Sequence, residues 1–349
     1  MTLSIQSNCL KVSILAGSLL FLQPVLAQQM DTASLSAFME QKVRSLKNNN
    51  QTLAVASKDT IIYKNDIKTF NVVRGQGEAG YISEFFTTVL ALMMADEGKF
   101  SLDDKVAQYL PEFAKYGKNY ITIRHCLTHM SGIQVPSKPE LFERGKFESL
   151  EQEANKYASY EIQTNPGTET RFSERGYAIV ARLIEATNKG KKFDNLMQQR
   201  IFRPLGMRGT TFQTLDGSLP SPVFGARSTS GDLVQFGRML LNGGTLNGVT
   251  CLKPESVDEL RKISTEAASF KGAPKGMERY DYAMGAWATE STGGKASALV
   301  VPSFGGTALL IDFCRGYTAA YLLKTREPKA EAIAEIKAYL EGGVEIHCK

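Results

Sequence analysis

Ile121-Thr-Ile-Arg-His-Cys-Leu-Thr-His-Met-Ser-Gly132 reads as a short helix, Ile123 to His129, inside a middle third that is mostly helical. The same spacing predicts further helices over Asp103 to Leu110, Tyr177 to Thr187, Phe193 to Phe202 and Ser230 to Leu241. His125 and His129 stand at i,i+4, a spacing that can bind zinc. Between them lies Cys-Leu-Thr, so the glutamate of a helical metalloprotease motif is missing and no metal site is expected.

On either side of this helical middle the apolar pattern changes. Upstream, an amphipathic helix runs from Leu35 to Leu46, then short strand patterns follow over Thr52 to Ala56 and Thr60 to Tyr63. A glycine-rich loop, Gly75 to Gly80, feeds a strongly apolar helix from Ser83 to Glu97. That loop lacks both the Lys-Ser/Thr ending and the G-x-G-x-x-G spacing of phosphate cradles, so no nucleotide and no other cofactor is expected. Downstream, Tyr282 to Ala288, Ser297 to Val301, Thr307 to Phe313 and Tyr317 to Leu323 read as strands, before a last helix from Lys329 to Leu340. Strands at both ends of a helical middle imply one sheet built from both ends: an α/β sandwich with an inserted helical lobe.

Composition agrees with a globular enzyme-sized chain. The 349 residues are 43% hydrophobic and 22% charged, which excludes collagen, coiled coil and a disordered tail. The net charge of +5 carries no basic run of nucleic-acid type, so no nucleic-acid partner is expected. Residues 1 to 27 read as a signal peptide, with Lys11, an apolar run from Val12 to Ala27, and Val25-Leu-Ala27 as the cleavage site. No lipid-attachment cysteine follows, so the expected product is unanchored and periplasmic or secreted. The cysteines left after cleavage, Cys126, Cys251, Cys314 and Cys348, permit three pairings, with buried thiols as the alternative.

Several segments carry a resemblance. They are Asp96-Glu-Gly-Lys-Phe-Ser-Leu-Asp-Asp104, Tyr109-Leu-Pro-Glu-Phe113, Ile121 to Gly132, Ile201-Phe-Arg-Pro-Leu-Gly-Met207, Ser228-Thr-Ser-Gly-Asp-Leu233 and Phe236-Gly-Arg-Met-Leu-Leu-Asn-Gly-Gly244. In this order and spacing the chain resembles the penicillin-recognising serine hydrolases, the group of class C β-lactamases, DD-peptidases and related esterases. The resemblance implies a serine β-lactamase-like α/β (α+β) fold, an antiparallel sheet flanked by helices with an inserted helical lobe. One domain is expected over 28–349, with the sheet from about 51–64 and 282–323 and the lobe from about 100–245.

That family's chemistry rests on three motifs, and all three are altered here. The Ser-x-x-Lys slot reads Tyr81-Ile-Ser-Glu84, with Tyr at the nucleophile and Glu at the lysine. The Tyr-x-Asn slot reads Phe172-Ser-Glu174, and the late-strand Lys/His triplet, placed just before Phe304, reads Val301-Pro-Ser303. Penicillin labelling is therefore not expected.

The changed residues suggest a different hydrolysis. Carried over by the resemblance, Glu84 and Glu174 face each other across one cleft with Tyr81 beside them, the minimum set for cleaving a glycosidic bond. Burial and mutual repulsion would separate an acid from a base, and Tyr81 would orient the base or stabilise the oxocarbenium-like centre. The expected substrate is a saccharide or a cell-wall-derived small molecule, contacted by Ser83, Ser173, Arg227, Trp287 and Ser303. Each glutamate also has a structural explanation, as a helix-start residue beside a capping serine. Two alternatives stand beside the glycosidase: a non-catalytic cell-wall glycan- or peptide-binding protein, and a serine esterase using Ser83, Ser228 or Ser303.

Overall fold

The computed structural model describes residues 31–46, 51–66, 75–134, 147–214, 216–303, 307–323 and 330–342. The expected signal peptide and the cysteines at 9 and 348 lie outside them. Upstream are α1 (Thr32–Leu46), β1 (Gln51–Ser57), β2 (Ile61–Asp66), β3 (Gly77–Glu78) and α2 (Ile82–Asp96). The lobe follows: α3 (Glu112–Lys115), α4 (Ile123–Leu127), α5 (Leu150–Ala158), β4 (Thr170–Arg171), α6 (Arg175–Thr187) and α7 (Phe193–Met197). Next come β5 (Arg227–Ser228), α8 (Ser230–Leu241), β6 (Thr245–Leu246), β7 (Val249–Thr250), α9 (Pro254–Arg261) and β8 (Phe270–Lys271). The chain returns through β9 (Asp281–Tyr282), β10 (Trp287–Thr292), β11 (Lys295–Pro302), β12 (Ala308–Asp312) and β13 (Tyr317–Leu323) to α10 (Ala330–Glu341).

One antiparallel sheet of order β2-β1-β13-β12-β11-β10-β9 organises the molecule. Alternation along each strand separates its two faces. Leu53, Val55, Leu310, Ala319, Tyr321 and Leu323 pack with Leu35 and Met39 of α1 and with Ile336 and Leu340 of α10. Their neighbours Ala54, Ala56, Leu309, Ile311, Ala320 and Leu322 point the other way, into the larger core with α2 and α8. α8 comes close at Gly237, where a Cβ would lie 2.0 Å from Thr318 Oγ1 of β13. α2 is apolar around nearly its whole circumference, and every residue from Ile82 to Met94 is buried. It runs between the sheet and the lobe, against α6 and β11.

Three expectations need correction. The helix expected over Asp103 to Leu110 is one 3₁₀ turn, Val106–Gln108. Its neighbours bond elsewhere: Val106 N–H donates to Ile121 O, and Asp104 O accepts from Ile123 N–H. The strand expected over Tyr282 to Ala288 breaks between β9 and β10. Gly285 there adopts φ +82°, and a Cβ would stand 2.6 Å from Thr88 Oγ1, so the break lets α2 approach the sheet. Finally, Pro254–Arg261 is a helix that the apolar spacing did not signal, opening on a proline in its first turn.

The cysteines divide. Cys126 and Cys251 are buried free thiols, and burial pushes Cys126 up to about 12. Cys314 is disulfide-bonded, to a partner outside the described residues. Glu290, Asp312 and Glu341 cluster beside the β12–β13 turn. Arg315 and Lys337 already hold them in ion pairs, Arg315 reaching Asp312 at 2.7 Å and Glu290 at 3.0 Å.

Candidate active site

The site is built where α2 and α6 begin. Tyr81 is the last residue before α2 and Glu84 lies in its first turn; Glu174 is the last residue before α6. Neither helix start carries a side-chain capping bond from these flanking residues. Ser83 lies inside α2, so it is not the cap that its sequence context suggested. Its fully buried Oγ accepts from the Ala226 N–H at 3.1 Å, fastening α2 to the segment that leads into β5. Ser173 is also buried, and its Oγ accepts from Arg175 N–H at 3.4 Å.

Tyr81 stands between two aromatic rings and feels the charges of both glutamates. Its ring meets Phe172 edge-on at 5.1 Å and Phe224 at 5.0 Å. Burial first, then the charges of Glu84 and Glu174, raise the Tyr81 phenol well above its ordinary range. Both carboxylates therefore act on one hydroxyl, and that hydroxyl keeps its proton at neutral pH. Such a group donates a hydrogen bond; it is poorly suited to act as a phenolate nucleophile. Glu84 is only 3% exposed, while Glu174, Tyr81 and Phe172 are half-buried.

Behind the site lies a polar chain that the residue pattern did not reveal. The buried Tyr177 hydroxyl donates to Leu127 O at 2.9 Å and lies 3.2 Å from the Tyr282 hydroxyl. Tyr282 in turn lies 2.9 Å from His129 Nε2, and His129 Nδ1 is 2.9 Å from Ser173 O, next to Glu174. In sequence both tyrosines mark only the start of a helical and a strand pattern. The signal available was chemical: a phenol tip in a core requires a partner. His129 adopts φ 57°, and burial depresses its imidazole to about 4, the bond to Ser173 O acting the other way. His125, by contrast, completes a capping box with Thr122 at the start of α4. The two rings therefore face different partners and form no metal pair.

The remaining candidates are dispersed. Trp287 is 3% exposed and packs against Phe270 at 4.6 Å and Tyr282 at 4.9 Å. It has no face open to a sugar, which corrects the substrate contact expected of it. Arg227 lies half-buried in β5, its backbone paired with Thr211. Ser303 follows β11, its N–H donating to Thr307 O at 2.7 Å, beside residues outside the described set. Ser228 is fully buried and bonds Thr210 Oγ1 at 2.8 Å. Two adjoining cavities of about 560 and 360 Å³ share Glu148, Thr214 and the segment 217–220. The larger reaches Gly225, and neither is lined by Tyr81, Glu84 or Glu174.

Comparison with known proteins agrees with the geometry of the fold. The family model described as Beta-lactamase matches residues 82–343. Penicillin-binding protein 4 of Amycolatopsis lactamdurans is 27% identical over 274 residues, 67% of this chain and 71% of that protein. The D-alanyl-D-alanine-carboxypeptidase/endopeptidase AmpH of Escherichia coli K12 is 25% identical over 136 residues, 38% of this chain and 35% of that protein. Among solved structures, a family VIII carboxylesterase superposes with TM-score 0.75 at 14% identity, over 89% of this chain and 97% of that one.

Proposed function

From the premise that the chain belongs to the beta-lactamase family of hydrolases, we propose that it is an exported hydrolase whose serine chemistry has been replaced by paired glutamates acting on a saccharide. The observation that carries this reading is placement: Tyr81 and Glu84 at the start of α2 and Glu174 at the start of α6, with the charges of both carboxylates reaching the Tyr81 phenol. One carboxyl would protonate the leaving oxygen, and the other would attack the anomeric carbon or activate water. The protonated Tyr81 would donate to the carboxylate or to a ring oxygen, holding the reacting group in line.

Ser83 does not support the esterase alternative, since its hydroxyl is buried and engaged by Ala226, and Phe86 stands three residues on, where a lysine would be needed. Export is supported by the sequence of residues 1–27 and by the disulfide at Cys314, a bond that persists in oxidising compartments. Among the described residues, no helix is long and apolar enough to cross a membrane.

A second reading, a glycan- or peptide-binding protein without turnover, is favoured by one observation. Glu84 is 3% exposed, which narrows access to it. The test is a product screen on cell-wall glycans with the purified mature protein and its Glu84→Gln and Glu174→Gln variants. The expected result is a new oligosaccharide product that falls by at least about a hundredfold in each variant, as loss of general acid–base catalysis predicts. Glycan binding with no product from any of the three proteins would select the binding reading.

A further inference from the structure

Cys314 lies in the turn between β12 and β13, buried and disulfide-bonded. The sequence holds five cysteines, and the structure removes two of the possible partners. Cys126 and Cys251 are free thiols buried in the larger core, on the face of the sheet that packs α2 and α8. Cys9 belongs to the segment expected to be cleaved on export, so in the exported chain the remaining partner is Cys348.

The described residues bring the two halves of such a bond into range. α10 lays Ile333, Ile336 and Leu340 against the face of the sheet that it shares with α1. Its last residue, Glu341, pairs with Lys337, and the same carboxylate stands 3.6 Å from the guanidinium of Arg315, the residue after Cys314. Lys337 and Arg315 also reach Glu290 of β10, at 2.9 and 3.0 Å. The end of α10 therefore lies at the β12–β13 turn. From Glu341 to Cys348 is seven residues, a reach of up to about 23 Å when extended, ample for a return to Cys314. The ion pairs that seat this end are partly open to water, where such pairs hold weakly and loosen with salt. The helix has 12 residues, a length that is marginal by itself in water. A covalent bond at its end supplies what neither the ion pairs nor the helix provides.

We propose that Cys314 pairs with Cys348 and that this bond is a redox-sensitive clasp, holding α10 over its face of the sheet. The clasp rests on the reading that the chain is exported, and not on what the active site does. In closing it, the two thiols lose two protons and two electrons and form one S–S bond. The disulfide of a thiol–disulfide oxidoreductase in the exporting compartment takes these up and becomes a dithiol, by exchange through a mixed disulfide. A dithiol reductant reverses the step. The reduced protein keeps the packing of Ile333, Ile336 and Leu340 but loses the tether, so α10 opens more often from the cluster that includes Leu310 and Tyr317.

The test uses the full chain exported from a bacterial host, alkylated without reduction, digested with trypsin and mapped by mass from the monomer band of a non-reducing gel. Peptides 296–315 and 338–349 should appear joined, two hydrogens lighter than their sum, and separate on reduction. Alkylated Cys314, or Cys314 joined to Cys126, Cys251 or Cys9, would overturn the pairing. The same map reads the N-terminus, so a failure of export shows as retained residues 1–27 and is told apart from a failure of the clasp. Hydrogen exchange then tests the role of the bond. In Cys348→Ser, exchange across α10 should rise at least about tenfold while β11 and β12 stay unchanged, and Tm should fall by about 5 °C or more. Wild-type protein reduced with dithiothreitol gives the same reading should the variant not fold. Unchanged exchange in α10 would show that packing holds the helix without the bond, and would overturn the clasp.

Discussion

Ser83 has the hydroxyl of a nucleophile and the surroundings of a strut. Its Oγ receives the Ala226 N–H inside the protein, so Ser83→Ala leaves that donor buried without a partner. The expected cost is about 1–3 kcal/mol in a urea titration, with no serine-directed fluorophosphonate labelling in either protein. Labelling that disappears in Ser83→Ala would revive the esterase. Tyr81 shows the reverse case. Its position in the motif slot was legible, but its state was not: burial and two carboxylates hold the proton on a side chain that the slot would cast as a nucleophile. Trp287, expected to contact substrate, is a core residue instead. Its packing against Phe270 and Tyr282 shows this.

Between elements, distances of closest approach govern the architecture. α8 lies so close to β13 at Gly237 that a methyl group would overlap the Thr318 hydroxyl, which itself donates to Leu310 O at 2.8 Å. Gly237→Ala should therefore cost about 1–3 kcal/mol through overpacking, despite the higher helix propensity of alanine. Thermal melting checks this; an unchanged or raised Tm would show that the helix can shift without loss. The helix starts were the most readable elements, because α2 and α6 follow their apolar spacing closely. The irregular ones were not. The break at Gly285 and the single turn at Val106–Gln108 arise from contacts with α2 and with the strand-like segment before α4, which local periodicity does not register.

For the whole molecule, stability should decline on acidification in two stages. His129 has a folded pKa near 4, below the unfolded value of about 6.5, so the unfolded chain takes up the proton first. Its contribution is complete above that unfolded value and is lost as pH falls towards 4, at about 1.4 kcal/mol per pH unit at most. The second stage concerns carboxylates. Burial pushes Glu290 up, but hydrogen bonds from Lys337 and Arg315 outweigh it, leaving the carboxyl below its ordinary range. That stabilisation is present above the unfolded carboxylate value of about 4.3 and disappears as pH falls through the lower folded one. Urea titrations at pH 7, 5 and 4 should therefore show falling midpoints already between pH 7 and 5. A midpoint constant over that interval would show that His129 is not held neutral by burial.

The sequence by itself determined the layered sheet, since a period of two along β1, β12 and β13 dictates two buried faces, and it determined the loss of Ser-x-x-Lys, which is a matter of residue identity alone. It also marked Glu84 and Glu174 as residues to watch, through the slots they occupy. Tertiary structure alone decided what surrounds them. The contacts of the polar chain join residues 44, 105 and 153 positions apart, Ser173 with His129, Tyr177 with Tyr282, and Tyr282 with His129. Local spacing constrains only neighbours within a turn or along a strand, whereas proton placement depends on which distant groups share a dry interior. There, each missing water makes one hydrogen more or less count.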